Sequence, residues 1–578
     1  MKTIFTPLSV LILSMIGTTA FAIPAKIGTT SYRQPDGTTI NIRKVGNGEL
    51  HLTTTEDGII LTQDNDGFYR LARIDDHGFI VSTGVKPQEA ASSLDAVTRI
   101  EDIDISLIKS TRNISTRDAD QWGMGLYRNK YPTTGNPRVP VFLVEFPEVQ
   151  FSTSYDPVEY FNKLCNGDES GDPENDISIR KYFEDQSQGK FSPQFDIYGP
   201  VLLPREMSYY GGNYGQGWDV CAHYMVSHAA TILDDEVDFS PYDEDGDGNI
   251  DFVYVIYAGF GEHRQGGENS VWPHAGDLQR QADFKKVDDL WFKNYACSNE
   301  LIDENTPEGI CTFAHEYSHI IGLPDLYTVD MFIDPRDFTP GQYSLMDYGV
   351  YNNDGLTPPN YSAYERNALK WDEPILFDRP MSVELDQIST GQYGLITTNK
   401  PEEFFLVENR QLEGWDKYLP GHGLLIWHID FQESKFTNNI VNKDPAHLYV
   451  DVVRANNETS FAKMSDGFPF PGTTGNTSFT PETTPAMVTW KGVAVDFPIT
   501  DIIEKDGILY FDVAGGDPHK GDDTGIAGLE TDSKGIYTVY NLSGIKLFET
   551  TDSMRLQALP KGIYIVNGKK TILPSVRK

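Results

Sequence analysis

The stretch Cys311-Thr-Phe-Ala-His-Glu-Tyr-Ser-His-Ile-Ile-Gly-Leu-Pro-Asp325 contains the pattern His-Glu-x-x-His. Its apolar residues recur at the spacing of one helix face, which predicts a half-buried helix. These apolar residues are Ile310, Phe313, Ala314, Tyr317, Ile320 and Ile321. On such a helix His315 and His319 lie one turn apart on the same face, so both imidazoles can bind one metal ion. Glu316 is offset from them and is placed to take a proton from a water molecule at the metal.

The residues after the second histidine predict a third metal ligand. Gly322 is expected to end the helix, because glycine accepts the left-handed conformation that reverses the chain. Pro324 prevents the helix from continuing, and Asp325 follows on a segment that turns back towards the metal. Three protein ligands with an open fourth position are typical of catalytic zinc. Glu365, in a helical stretch further along, is the alternative third ligand.

A second motif, Ser344-Leu-Met-Asp-Tyr348, follows the metal-binding pattern. It resembles the methionine-containing turn that packs beneath the metal in metzincin-type zinc proteases. Its Ser-x-Met-x-Tyr form resembles the subset in which the tyrosine hydroxyl approaches the zinc. By that resemblance Tyr348 would stabilise the oxyanion of a tetrahedral intermediate; a tyrosine of the hydrophobic core is the alternative. Met346 is expected to pack rather than to bind metal.

The whole pattern resembles the M6 family of secreted metallopeptidases, the immune inhibitor A type. The match depends on the segment from His315 to Asp325, with Asp325 in place of the third histidine of most metzincins. Further matching segments are Val271-Trp-Pro-His274, Phe404-Phe-Leu-Val-Glu-Asn-Arg-Gln411, Gly414-Trp-Asp416 and Leu419-Pro-Gly-His-Gly-Leu-Leu-Ile-Trp-His-Ile-Asp430. The resemblance implies a zinc endopeptidase that acts on proteins or peptides, made as a secreted zymogen with an α+β, zincin- or metzincin-like catalytic domain.

The N-terminus is typical of a secretory signal. Lys2 precedes the apolar run Leu8-Ser-Val-Leu-Ile-Leu-Ser-Met-Ile16, and Ala20-Phe-Ala22 provides the small-residue exit. This pattern predicts a signal peptide over residues 1–22 and a mature chain that starts near Ile23. An uncleaved membrane anchor is the alternative, although the apolar run is short for that role.

Composition excludes several classes of partner. The 578 residues leave room for about four domains of roughly 150 residues each. Acidic residues outnumber basic ones 85 to 47, which gives a formal net charge of -38. Such a surface repels nucleic-acid phosphates and anionic lipids. It suits an exported protein that binds hard cations such as calcium.

Strand, turn and linker patterns divide the chain into six segments. They are a signal peptide (1–22), a β-rich propeptide built as an antiparallel meander (23–117), a catalytic domain (118–375), a β-rich domain (376–514), a linker (515–526) and a C-terminal β module (527–578). The last module resembles sorting domains of the type IX secretion system. That resemblance implies contact with outer-membrane secretion machinery and release or surface attachment; an ordinary accessory β-sandwich is the alternative.

The predicted propeptide holds no cysteine, so a thiolate cannot be the group that blocks the zinc. We expect the propeptide to occupy the cleft through another group. The exposed polar stretch from Arg112 to Arg117 is the expected site of its removal.

The acidic stretch Asp243-Glu-Asp-Gly-Asp-Gly-Asn-Ile-Asp251 predicts structural calcium. Oxygens alternate around a glycine-permitted turn, as in the first part of an EF-type loop. Asp243, Asp245 and Asp247 would bind through their side chains, Asn249 through its backbone, and Asp251 near the ninth position. Tyr254 stands where such a loop has its bidentate glutamate, so a further ligand must come from elsewhere. A solvated acidic turn is the alternative.

Four cysteines lie in the predicted catalytic domain, and export permits disulfides there. We expect Cys297 to pair with Cys311, and Cys165 with Cys221.

A competing function is also open: a calcium-dependent surface-binding protein that keeps the zinc fold but performs no hydrolysis. The presence of Glu316 argues against it, because a binding scaffold needs no base beside two metal-ligating histidines.

Overall fold

The computed structural model of the chain describes most residues from 20 to 573. The described ranges are 20–48, 50–64, 66–75, 79–88, 97–103, 131–167, 177–214, 217–278, 286–330, 333–334, 336, 338–517, 536–540, 546–551, 555, 562–567 and 569–573. Most of the predicted signal peptide, the predicted cleavage stretch from Arg112 to Arg117 and most of the predicted linker lie outside the described residues.

The N-terminal unit is a six-stranded antiparallel meander, as the sequence predicts. A short strand, β1 (Ala20–Ala22), precedes it and joins a different sheet. The meander strands are β2 (Thr30–Arg33), β3 (Thr39–Asn47), β4 (Leu50–Thr54), β5 (Ile60–Gln63), β6 (Tyr69–Ile74) and β7 (Ile80–Ser82). Each strand pairs with the next along the chain.

A seven-stranded mixed sheet forms the centre of the molecule, in the order β1-β11-β12-β10-β8-β9, with β13 paired to β12. Its further strands are β8 (Arg138–Glu145), β9 (Gln194–Leu202), β10 (Asn249–Phe260), β11 (His274–Asp277), β12 (Trp291–Asp303) and β13 (Thr306–Pro307). The α-helices among the described residues are α1 (Pro157–Asn166), α2 (Ile179–Gln186), α3 (Met207–Tyr210), α4 (Tyr224–Leu233), α5 (Cys311–Ile320), α6 (Ala363–Leu369) and α7 (Glu433–Thr437).

Both faces of the central sheet are buried, which explains why its inner strands read as continuous apolar runs. Alternate residues of β8 point to opposite faces: Val141 belongs to the core that contains α5, and Phe142 to the core that contains α4. The mixture of helices and sheets confirms the α+β class.

The region after α6 is rich in strands, and it shares a core with the central sheet. Its strands are β14 (Ile375–Leu376), β15 (Met381–Leu385), β16 (Tyr393–Thr397), β17 (Glu403–Arg410), β18 (Gly423–Asp430), β19 (Val450–Val453), β20 (Ile499–Lys505) and β21 (Ile508–Val513). They form a five-stranded sheet, β14-β16-β17-β18-β19, and a three-stranded sheet, β15-β21-β20. Leu406 and Trp427 of the larger sheet lie in the same core as α5.

The C-terminal module is a four-stranded antiparallel sheet in the order β23-β22-β24-β25. Its strands are β22 (Tyr537–Tyr540), β23 (Lys546–Thr550), β24 (Gly562–Val566) and β25 (Lys569–Leu573). Short 3-10 helices occur at Ile100–Asp102, Ser240–Tyr242, Gly341–Tyr343, Tyr348–Gly355, Ile388–Thr390, Gly414–Tyr418 and Ser465–Gly467. Among the described residues, no helix has the length and apolar character that crossing a bilayer requires.

The four cysteines are separate thiols, so both predicted disulfides are wrong. Cys297 lies in the core on the α4 side of the central sheet, whereas Cys311 lies in the core on the α5 side. The sheet itself therefore separates the first predicted pair. Cys165 packs on the α5 side, while Cys221 stands just before α4 on the opposite face.

Candidate active site

Helix α5 carries the His-Glu-x-x-His pattern, as predicted. Gly322 follows its last turn with a φ of 112°, and Leu323 N donates to Ser318 O at 2.9 Å, which ends the helix. The helix is buried on all sides rather than half-buried. The prediction missed this because residues far along the chain, such as Leu406 and Trp427 of the five-stranded sheet, join the same core.

Three side-chain atoms meet at the end of this helix with the spacing of ligands around one ion. His315 Nε2 and His319 Nε2 are 3.2 Å apart. Each lies 3.3 Å from Asp325 Oδ1. Ligand atoms about 2.0–2.1 Å from a tetrahedral zinc are about 3.3–3.4 Å from each other. The predicted His-His-Asp set therefore fits a zinc ion in size and in donor type.

Backbone carbonyls orient both imidazoles towards this point. His315 Nδ1 lies 2.8 Å from Leu345 O, and His319 Nδ1 lies 2.8 Å from Leu323 O. A carbonyl oxygen can only accept, so each Nδ1 carries the proton and each Nε2 presents a lone pair. This tautomer is the one that metal-ligating histidines require.

Asn439 holds the third ligand. Its Nδ2 donates to Asp325 Oδ2 at 2.6 Å, and Asp325 N donates to Asn439 Oδ1 at 2.8 Å. Asp325 Oδ1 is buried and accepts no hydrogen bond. A buried carboxylate oxygen without a donor is unfavourable unless a cation binds it. Asn439 was not predicted, because it follows Asp325 by more than a hundred residues and belongs to no local motif.

The protonation states also suit a metal. Burial lowers the pKa of His315, which keeps the imidazole neutral. Burial opposes ionisation of Asp325, but the His319 and His315 side chains that face it outweigh burial and hold its pKa below the usual range. Neutral histidines and an ionised aspartate are the forms in which these residues bind metal.

Glu316 lies beside the three ligand atoms without joining them. Its Oε1 accepts a hydrogen bond from Ile23 N at 3.0 Å, and its Oε2 is buried with no hydrogen-bond partner. Burial, and secondarily the charge of Asp325, raise the pKa of this carboxyl well above its usual value. A carboxyl group in such surroundings can accept a proton and return it.

The predicted methionine turn is hydrogen-bonded to the metal-binding segment. Leu345 O accepts from His315 Nδ1, and Leu326 N donates to Met346 O at 2.8 Å. The turn therefore contacts the chain both at the first ligand and just after the third. Met346 is fully buried, as expected of a packing residue. Tyr348 lines a cavity of 370 Å³ beside the cleft, together with Pro24 and other residues.

Glu365 has no free oxygen for a metal. Its Oε1 accepts from Ser344 Oγ at 2.6 Å, and its Oε2 accepts from Ser362 N. The Ser362 side chain in turn accepts from Glu365 N, which completes a capping box at the start of α6. Glu365 is therefore a helix-capping residue in this structure.

The end of the predicted signal peptide and the residues just after it run through the cleft. Strand β1 pairs antiparallel with the edge strand β11, with Ala22 opposite His274. Beyond Ile23 N, which binds Glu316, the Ile23 carbonyl accepts from Trp272 Nε1 at 3.0 Å. The next carbonyl, of Pro24, accepts from Tyr351 Oη at 2.6 Å. No sequence signal indicated this path.

Charged residues join the meander to the catalytic segment. Lys44 Nζ lies 3.0 Å from Glu262 Oε1, and His51 Nε2 lies 3.0 Å from Glu262 Oε2. Nearby, Thr62 Oγ1 donates to Glu268 Oε2 at 2.9 Å. Lys44 and His51 of the meander therefore both pair with Glu262 of the catalytic segment.

The acidic loop places three of its predicted ligands together. One carboxylate oxygen from each of Asp243, Asp245 and Asp247 lies within 4.8 Å of the others. Asn249 begins β10, the strand expected after the loop. Asp251 Oδ1 instead lies 3.2 Å from Lys293 Nζ. Calcium at this loop stays a prediction.

Two histidines and an aspartate around one point, with a buried glutamate beside them on a mixed α+β fold, are the arrangement expected of a metallopeptidase domain. Residues 143–372 match the model of the immune inhibitor A peptidase M6 catalytic domain. This match confirms the resemblance to the M6 peptidase family seen in the sequence.

Two curated relatives carry names of the same kind. The chain is 27% identical over 274 residues to the pre-pro-metalloprotease PrtV of Vibrio cholerae serotype O1, a match that covers 40% of this chain and 29% of that protein. It is 27% identical over 323 residues to immune inhibitor A of Bacillus thuringiensis subsp. alesti, covering 46% of each. The chain thus spans less than half the length of the curated relatives it matches.

Proposed function

We propose that the chain is a secreted, zinc-dependent endopeptidase of proteins or peptides. The observation that carries this proposal is the triangle of His315 Nε2, His319 Nε2 and Asp325 Oδ1, with the last atom buried and lacking a hydrogen bond. We also propose that the catalytic domain has a zincin- or metzincin-like fold, which is one particular fold within the α+β class. The names of the two relatives support the same activity.

In this mechanism His315, His319 and Asp325 would hold the zinc, and the metal would supply Lewis acidity and a lowered pKa for a water molecule. Glu316 takes the proton from the attacking water and delivers it to the nitrogen of the leaving amine. The Tyr348 hydroxyl donates a hydrogen bond to the developing oxyanion. The edge strand β11 pairs with the substrate backbone, as it pairs with β1 here.

The position of the N-terminal segment supports synthesis as a zymogen. Residues 23–117 form the propeptide, preceded by a signal peptide over residues 1–22. Because Ile23 and Pro24, the first residues of this propeptide, lie in the cleft and Ile23 N is bonded to Glu316, the propeptide blocks the cleft through its backbone, without a cysteine thiolate. Its removal near Arg112 to Arg117 opens the site.

The remaining segments keep the roles predicted from the sequence. The catalytic domain spans residues 118–375, followed by a β-rich domain (376–514), a linker (515–526) and a β-sandwich-like C-terminal module (527–578) that directs export across an outer membrane. Calcium would be held by Asp243, Asp245 and Asp247 and would stiffen the turn before β10. Asn249 through its backbone and Asp251, whose Oδ1 pairs with Lys293, keep their predicted places in this loop.

The test is casein hydrolysis by the secreted, processed protein before and after removal of zinc with a chelator. Chelation should abolish hydrolysis, and zinc should restore it where calcium alone does not. A processed protein that retains zinc but leaves casein intact would instead favour the alternative, a catalytically silent, calcium-dependent surface-binding protein.

A further inference from the structure

Donors outside the metal-binding triad hold the backbone of the segment in the cleft. Trp272 Nε1 donates to the carbonyl oxygen of Ile23 at 3.0 Å. Tyr351 Oη donates to the carbonyl oxygen of Pro24 at 2.6 Å. Carbonyl oxygens occur in every peptide, so these contacts do not depend on the side chains of the segment.

The contact with Glu316 fixes the register of this segment against the site. A general acid must lie within hydrogen-bond reach of the nitrogen to which it delivers a proton. The nitrogen in that position belongs to Ile23, 3.0 Å from Glu316 Oε1. The nitrogen of Ile23 therefore takes the place of the leaving amine of a scissile bond. Strand β1, which belongs to the predicted signal peptide, lies where the substrate residues before that bond would pair with β11. Ile23 and Pro24 represent the first two residues after the bond.

The catalytic segment itself fixes the Trp272 indole. Trp272 N donates to Asp219 Oδ2 at 2.7 Å, and His274 Nδ1 donates to Trp272 O at 2.6 Å. On its outer side the indole stacks on the His51 ring of the meander, with centroids 4.3 Å apart. Removal of the meander would uncover the indole while both backbone anchors stay in place.

Tyr351 is likewise fixed by the catalytic segment. Its ring lies 5.3 Å from the guanidinium carbon of Arg264, a distance typical of a cation–π contact. Arg264 is in turn paired with Glu308 at 3.1 Å. Neither partner belongs to the N-terminal unit, so the phenol keeps its position when that unit leaves.

We infer that Trp272 and Tyr351 bind the carbonyl oxygens of the first and second substrate residues after the scissile bond. They are positioning residues that hold the substrate backbone on the leaving-amine side, while β11 holds it on the other side. The inference deepens the proposed endopeptidase function and rests on it. It explains how a cleft can accept peptides of varied sequence, since both donors read only the backbone.

The test measures peptide binding to the processed protein carrying Glu316→Gln, which cannot complete hydrolysis. One probe has the sequence of residues 19–26, Thr-Ala-Phe-Ala-Ile-Pro-Ala-Lys; the other ends at Ile23 as an amide and lacks the second carbonyl. Adding Tyr351→Phe should lower the affinity for the long peptide about three- to tenfold, the contribution of one hydrogen bond, and leave the affinity for the short peptide unchanged. Adding Trp272→Phe should lower the affinity for both peptides.

A matched control is Tyr393→Phe, which removes a buried hydroxyl that bonds to Asn367 and Asp372 outside the cleft. This variant should bind both peptides as its parent does. The inference is overturned if Tyr351→Phe affects both peptides equally or neither, or if the long peptide fails to bind the Glu316→Gln parent.

Casein hydrolysis by the otherwise unaltered processed protein separates the two proposals. If the processed protein hydrolyses casein but neither substitution changes peptide binding, only the positioning role is contradicted. Peptide binding that depends on both donors, without hydrolysis, contradicts the endopeptidase function and leaves a peptide-binding cleft.

Discussion

At the scale of single residues, the metal site depends on an amide that contributes no ligand atom. Asn439 binds both the backbone N–H and the Oδ2 atom of Asp325, so it fixes the direction of Oδ1 towards the two imidazoles. Its backbone φ is 52°, a left-handed conformation that asparagine tolerates better than most residues. Groups that orient a metal ligand in this way contribute strongly to metal affinity.

We expect Asn439→Gly to lower zinc affinity about ten- to a hundredfold, because it removes the amide while glycine keeps the left-handed backbone. Competition with a zinc indicator measures the effect. Asn438→Ala is the matched control, since the Asn438 side chain bonds to Ser434 O and not to Asp325. Unchanged zinc affinity in Asn439→Gly would show that Asp325 needs no support from Asn439.

At the scale of elements, helix α6 explains why a second acidic residue near the site is not a ligand. Glu365 closes the capping box with Ser362 and also accepts from Ser344, next to the methionine turn. Its role is to hold the start of α6 against that turn. A capping interaction of this kind contributes about 1 kcal/mol to stability.

We therefore expect Glu365→Gln to keep one zinc per chain while lowering the melting temperature. Asp325→Asn serves as the comparison, because it alters a proposed ligand and should lose zinc. Metal analysis and thermal unfolding of both variants decide the matter. Loss of zinc from Glu365→Gln to the same extent would restore the alternative ligand set.

These elements also show what a sequence can reveal about such a site. His315, Glu316, His319 and Asp325 lie within one helix and the turn after it, so local spacing predicted them together. Asn439 and the path of the N-terminal segment depend on distant parts of the chain, and nothing near them in sequence signals the contact. The disulfide prediction was wrong for the same reason, since the strands that separate the cysteines cannot be placed from cysteine spacing.

At the scale of the whole molecule, the meander is docked through groups whose charge changes with pH. Burial, and secondarily the nearby Glu262, raise the pKa of Glu268 from 4.5 to about 7. Lys44 and His51 face Glu262 from the meander, and Thr62 donates to Glu268 from its strand β5. Docking therefore favours the protonated form of Glu268.

The docked state binds more protons than the separated one between about pH 4.5 and 7, so raising the pH across that window weakens docking. After cleavage near Arg112 to Arg117, a larger share of the N-terminal fragment should stay bound at pH 5 than at pH 8 in size-exclusion chromatography. Glu268→Gln replaces the ionisable carboxyl by a neutral amide, so it should reduce the difference in bound fragment between pH 5 and pH 8. Tighter docking at the higher pH, or an unchanged difference in the variant, would contradict this role of Glu268.

The most direct test of the proposed chemistry compares casein hydrolysis by the processed protein with that of Glu316→Ala, with zinc content measured on both. Glu316 makes no hydrogen bond to the three ligand atoms, so its removal should leave the zinc in place. We expect equal zinc and a loss of hydrolysis of about a hundredfold or more, the contribution of a general base. Undiminished hydrolysis by a zinc-loaded Glu316→Ala would contradict the account.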